Sequence, residues 1–145
     1  MLVNQILSMK ASGEIFTVAP ETSVAEATRL LSEKRIGAIV VSEDGKIPLG
    51  ILSERDVVRE LGKRGAAILE QPITELMTRK LATCTTGEDA LVILDRMTQG
   101  RFRHLPVVNE QGEMVGIVSI GDAVSARLKE LAAEKEALTG MIMGN

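Results

Sequence analysis

The stretch Gly50-Ile51-Leu52-Ser53-Glu54-Arg55-Asp56 returns sixty-six residues later as Gly116-Ile117-Val118-Ser119-Ile120-Gly121-Asp122. Each copy is an apolar run that reads as a strand, a serine where it ends, and an aspartate three residues on. A strand that turns into a helix at Ser-x-x-Asp, made twice at one offset, leaves few architectures open. The same offset pairs Thr17 with Thr83, Arg35 with Arg101, Val41 with Val107 and Val58 with Val124. The repeating unit is strand–helix–strand–strand–helix, with residues 1–70 expected as a first repeat carrying an N-terminal helix. Residues 71–145 are expected as a second repeat whose last helix is extended.

Local patterns fill in the unit. Residues 2–9 read as a short helix ended near Gly13, and Ile15–Val18 as a buried strand stopped by Pro20. Ser23-Val24-Ala25-Glu26 has the spacing of a capping box, followed by Val24, Ala27, Leu30 and Leu31 at helical intervals. Ile36–Val41 and Leu49–Leu52 read as a strand pair around Glu43–Lys46. A helix from Ser53 is then expected to carry Val57, Val58 and Leu61 on one face and to end near Gly62–Gly65. A linker at 68–72 and a short helix at 73–77 precede the second copy. There Leu81–Cys84 is the expected strand, and Thr86–Asp89 opens a helix bearing Ala90, Ile93, Leu94 and Met97. Leu105–Val108 and Met114–Val118 form the strand pair, and the final helix starts at Gly121. Its stripe of Val124, Leu128, Leu131 and Leu138 can pack on its own domain or on a second copy.

Composition narrows the function classes. Net charge is −3 from 17 basic and 20 acidic residues, with no long basic run, and two Phe without Tyr or Trp offer bases little to stack on. Nucleic acid is therefore not an expected partner. A single cysteine makes no internal disulfide, which suits a reducing, cytoplasmic setting. The N-terminal residues do not read as a signal peptide, and no apolar run is long enough for a membrane span.

The duplicated Gly-Ile-hydrophobic-Ser-x-x-Asp resembles the CBS-domain pair, or Bateman module, in its stand-alone bacterial form. Thr17-Val18-Ala19-Pro20 and Arg103-His104-Leu105-Pro106-Val107 add to the resemblance, which runs from about Ile6 to about Leu128. The resemblance implies an α/β (α+β) fold of two tandem β-α-β-β-α repeats related by a pseudo-twofold axis. It implies a central cleft for adenosine-containing ligands: AMP, ADP, ATP, S-adenosylmethionine or NAD(H). It also pairs each aspartate with the first strand of the other repeat. Asp122 and Ser119 would then share a cleft with Thr17, Val18 and Pro20, and Asp56 and Ser53 one with Thr83, Cys84 and Thr85. A homodimer is implied as well.

The residue types suit such a ligand. A carboxylate accepts hydrogen bonds from both ribose hydroxyls, and Asp56 and Asp122 stand at helix starts where an anion is favoured. Ser53 and Ser119 can offer hydroxyls to sugar or phosphate. Each Ser-x-x-Asp is equally a helix cap, and the two roles are compatible. By resemblance, Arg103 grips phosphate through paired N–H bonds and His104 donates another; the plainer alternative is a surface arginine and a core-edge histidine. Gly37 and Ala38 stand at those places in the first repeat and permit close approach of a ligand, while Arg55 supplies a cation that Gly121 does not. Thr17 and Thr83 also fit ordinary strand preference.

A catalytic set is not evident. Cys84 sits in an apolar run and reads as a small core residue, and no HExxH, CxxC, GxGxxG or P-loop pattern occurs. The reading is a regulatory adenine-nucleotide sensor, not an enzyme and without a metal, that signals to a protein target. Its alternative is a dimeric scaffold whose cleft takes no physiological nucleotide.

Overall fold

The computed structural model describes residues 1–10 and 15–144, so the expected helix end at Gly13 lies outside the described residues. Among the described residues five helices and five strands follow in the order α1 (Val3–Met9), β1 (Thr17–Val18), α2 (Val24–Lys34), β2 (Ala38–Val41), β3 (Gly50–Ser53) and α3 (Glu54–Arg64). After two short 3₁₀ turns come α4 (Ala90–Gly100), β4 (His104–Val108), β5 (Met114–Ser119) and α5 (Ile120–Ile142). The mixed α/β architecture with an extended last helix is thus present.

In the first repeat β1 runs parallel to β2, with Val18 opposite Val41, and β2 pairs antiparallel with β3. In the second, β4 and β5 pair antiparallel, placing His104 opposite Ser119. The expected strand at Leu81–Cys84 is reduced to one parallel bridge, Cys84 to Val107, at the place of Val18 and Val41. The first repeat has a further bond, from the Val40 N–H to the Phe16 carbonyl at 3.2 Å, but the residue at Val40's place is Pro106, which has no N–H to give Ala82. The Thr83 carbonyl and the Thr85 N–H, on the edge away from β4, bond to Arg96 at 2.9 Å and Glu88 at 2.8 Å.

Two apolar cores result, and each borrows from beyond its own repeat. Val3 and Ile6 of α1 pack with Ile93, Met97, Leu105, Val107 and Val118 of the second repeat. Ile68, Ile73, Leu76 and Met77 of the linker close the first core around Ile39, Val41 and Leu52. The Met114 N–H donates to the Lys46 carbonyl at 2.8 Å, tying one repeat's hairpin to the other's turn.

Two helix faces differ from the pattern read in the sequence. Val57 is buried, but Val58 is 70% exposed, because neighbours on a helix diverge by about 100° and cannot share a face. On α5 the residues turned inward are Ala123 and Ala126, while Val124, Leu128, Leu131 and Leu138 are all exposed. The stripe therefore does not pack on its own domain; small alanines let the helix approach instead.

The glycine that leads each duplicated strand has a packing reason. A Cβ on Gly50 would meet Met77 Sδ at 2.6 Å and the Thr78 carbonyl at 3.1 Å; one on Gly116 would meet Leu7 Cδ2 at 2.7 Å. Gly50→Ala and Gly116→Ala should each lose about 1–3 kcal/mol of stability by overpacking. Urea unfolding measures this, with the larger loss expected at Gly50, where backbone blocks relaxation.

Candidate nucleotide-binding clefts

Helices α3 and α5 begin in the same way. Ser53 Oγ accepts from the Asp56 N–H at 3.2 Å, and Asp56 Oδ2 accepts from the Ser53 N–H at 2.9 Å. Ser119 and Asp122 repeat the exchange at 3.1 and 2.9 Å. Two of the backbone donors left free at a helix start are thereby satisfied. The turn is pinned from behind as well: the Glu54 N–H donates to the Gly37 carbonyl at 2.9 Å, and the Ile120 N–H to that of Arg103 at 2.8 Å. Each carboxylate is thus held at the rim between its own helix and a neighbouring strand.

Two clefts open at these rims. The Asp122 cleft encloses about 630 Å³, and its lining includes Ser119, Asp122 and Ala38 with the apolar Phe16, Ile36 and Ile117. The Asp56 cleft encloses about 720 Å³ and is lined by Ser53, Arg55, Asp56, Arg101, Phe102 and Arg103, among others. Both volumes suit a nucleotide-sized molecule. Each cleft takes walls from both repeats, and Gly37, His104 and Ser119 line both. The His104 ring lies so close to Gly37 that a Cβ there would meet Cε1 and Nε2 at 3.3 Å.

Thr17, Val18, Pro20, Thr83 and Cys84 do not line either cleft among the described residues. In the Asp122 cleft the run-up to β1, Ile15 and Phe16, stands where Thr17 and Val18 were expected. In the Asp56 cleft Thr78 and Phe102 take the place expected for Thr83 and Cys84. Cys84 is in the core at 2% exposure, and burial pushes its thiol up to about 11, with nearby Glu88 adding to the rise. At neutral pH that thiol stays protonated and is a poor nucleophile.

Several cleft residues escaped sequence reasoning. Lys10 reaches from the end of α1 to Asp122, with Nζ 3.0 Å from Oδ2, and also donates to the Ile117 carbonyl at 2.8 Å. Arg59 sits 2.9 Å from Asp56 Oδ1. Arg35 and Arg101 line opposite clefts and end α2 and α4 in the left-handed conformation, with φ of 53° and 58°. Arginine rather than glycine at such a cap is costly, and its duplication was a signal open to sequence reading. Lys10 left none, because its partner lies more than a hundred residues away in the chain.

The two carboxylates are not equivalent. Asp56 has both oxygens engaged, Oδ1 by Arg59 and Oδ2 by the Ser53 N–H. Asp122 has both described bonds on Oδ2, one from the Ser119 N–H and one from Lys10. Burial pushes the Asp122 pKa upward, but the Ser119 N–H and Lys10 outweigh it and hold the group below its ordinary 3.8. It is an anion throughout the physiological range. His104 is shifted below its ordinary 6.5, chiefly by burial; Asp122 and Glu54 pull it up, while Lys10 and Arg103 push it down.

Ser53→Ala and Ser119→Ala each remove one half of a cap and should cost about 0.5–2 kcal/mol. Chemical denaturation measures this, and equal losses at the two sites are expected from their matching geometry.

Known proteins share this fold. A CBS-domain protein of Agrobacterium tumefaciens is 39% identical, with a TM-score of 0.82 over 88% of this chain and 99% of that one. A CBS-domain protein of Pyrobaculum aerophilum, solved with AMP, is 26% identical, with a TM-score of 0.77 over 92% and 99%. The CBS-domain pair of protein MJ0100, solved with 5′-methylthioadenosine and S-adenosyl-L-methionine, is 26% identical, with a TM-score of 0.74 over 93% and 98%. The mitochondrial CBS domain-containing protein CBSX3 of Arabidopsis thaliana is 33% identical over 92% of this chain, which spans 66% of that protein. The CBS domain family matches residues 4–63 and 73–129. With both repeats matched, the chain belongs to the CBS-domain family.

Proposed function

We propose that this protein is a regulatory module that binds adenine nucleotides (AMP, ADP, ATP or NAD(H)) in its two clefts and passes their occupancy to a protein target. The observation that carries this reading is that each cleft joins a capped aspartate of one repeat to a strand approach of the other. A ligand there contacts both repeats and favours one relative arrangement of them, which is the differential affinity a sensor needs. AMP in the P. aerophilum structure and 5′-methylthioadenosine with S-adenosyl-L-methionine in the MJ0100 pair support an adenosine-containing ligand.

In this scheme Asp122 accepts from the ribose hydroxyls, and adenine lies against Phe16, Ile36 and Ile117. Arg55, Arg101 and Arg103 meet phosphate in the Asp56 cleft, and His104 is reached from either side. The protein works as a homodimer in the cytoplasm; the exposed Val58 and Leu61 of α3, Leu91 and Val92 of α4, and the α5 stripe give a second copy apolar surface to cover. Scaffolding by an empty module is the competing reading, favoured only by the fact that the capping role alone explains both aspartates.

A thermal-melting panel with AMP, ADP, ATP and NAD(H) tests the reading. A ligand at a hundred times its dissociation constant should add about 2.7 kcal/mol of stability. Asp122→Ala should weaken its binding roughly ten- to a hundredfold through loss of charge-assisted bonds. No shift with any of them, in protein freed of bound nucleotide, would leave the scaffold.

Binding should also take up a proton. Burial keeps His104 neutral, so its contribution to folding is lost as pH falls through 6.5, where the unfolded chain protonates first. A phosphate beside it reverses the preference and makes the charged ring favourable. Calorimetry in buffers of different ionisation enthalpy should show proton uptake near pH 6.5 that is reduced in His104→Asn. Comparing the two proteins at one pH cancels the titration of the nucleotide itself.

A further inference from the structure

We propose that Lys10 makes the Asp122 cleft selective for nucleosides bearing a 5′ phosphate over those ending in a neutral or cationic sulfur group. The inference rests on the nucleotide reading above and deepens it. Among the described residues, the charged groups lining the Asp122 cleft are Lys10, Arg35 and Lys129 and the carboxylate of Asp122. Lys10 Nζ lies 3.0 Å from Asp122 Oδ2 and is braced by the Ile117 carbonyl at 2.8 Å.

Oδ2 also accepts from the Ser119 N–H at 2.9 Å, so a ribose diol seeking both carboxylate oxygens must compete with the ammonium. What the ligand brings in exchange then decides affinity. A 5′ phosphate gives the displaced ammonium a new anionic partner, and every charge stays paired. A methylthio group gives it none, and a sulfonium sets a second cation beside it. An unpaired, partly buried charge is expensive, so the exchange favours the phosphate. Lys10 comes from the end of α1, outside both Ser-x-x-Asp turns, so this selectivity is separable from the cap.

Isothermal calorimetry on the full chain with AMP and with 5′-methylthioadenosine tests it, on wild type, Lys10→Met and Lys10→Arg. The site concerned is identified as the one lost in Asp122→Ala. Wild type should prefer AMP by at least about tenfold, Lys10→Met should reduce that preference about tenfold, and Lys10→Arg should restore most of it. Circular dichroism confirms that each variant is folded. An unchanged preference in Lys10→Met, or a wild-type preference for the thioether, overturns the role of Lys10 while leaving nucleotide binding intact. Binding of neither ligand to wild type overturns the nucleotide reading and the selectivity with it.

Discussion

A helix start leaves backbone N–H groups without partners, and the answer given at α3 and α5 shapes the rest of the molecule. Serine and aspartate exchange bonds with each other's backbone, so each carboxylate is fixed in position at the edge of its cleft. Fixing it costs nothing beyond what the helix already requires. The strand before it must run close to its neighbours, and for that reason glycine leads both copies, against Met77 and Thr78 in one and Leu7 in the other. Cap, carboxylate and cleft are one device, built twice.

The device gains its regulatory potential from interlocked packing. α1 fills the second core and the linker fills the first, so neither repeat's interior is complete alone. Gly37, His104 and Ser119 form a common wall between the clefts. A ligand that shifts this wall from one side alters the other cleft directly, without a long chain of intermediates. The inequality of the clefts also follows from local charge: Arg59 holds Asp56 from within the same helix, whereas Lys10 reaches Asp122 from the end of α1.

Much of this was readable in the chain because it is local. The Ser-x-x-Asp turns, the strand pairs and the helix periods depend on residues within a few positions of each other, and all five helices stand close to where periodicity puts them. Long-range matters were not. The Leu81–Cys84 strand is cut short by Pro106 on the strand beside it, which has no N–H to donate and which the strand's own propensity does not register. The outward turn of Val124, Leu128, Leu131 and Leu138 depends on how closely Ala123 and Ala126 let α5 approach. Ser53, Arg55, Asp56 and Arg103 share one cleft and Ala38 and Asp122 the other, with His104 and Ser119 lining both. Lys10 enters only through tertiary geometry, whereas Arg59 pairs with Asp56 one turn along α3, at a spacing the sequence shows.

The most direct measurement is an amide chemical-shift map of the ¹⁵N-labelled chain as AMP is added. Perturbations centred on Ser119, Asp122 and the Gly37–Ala38 backbone are expected, with smaller ones at Ser53 and Asp56 transmitted through His104. Saturating AMP with those amides unmoved, or with shifts confined to the outer face of α5, would contradict a ligand held at the capped aspartates.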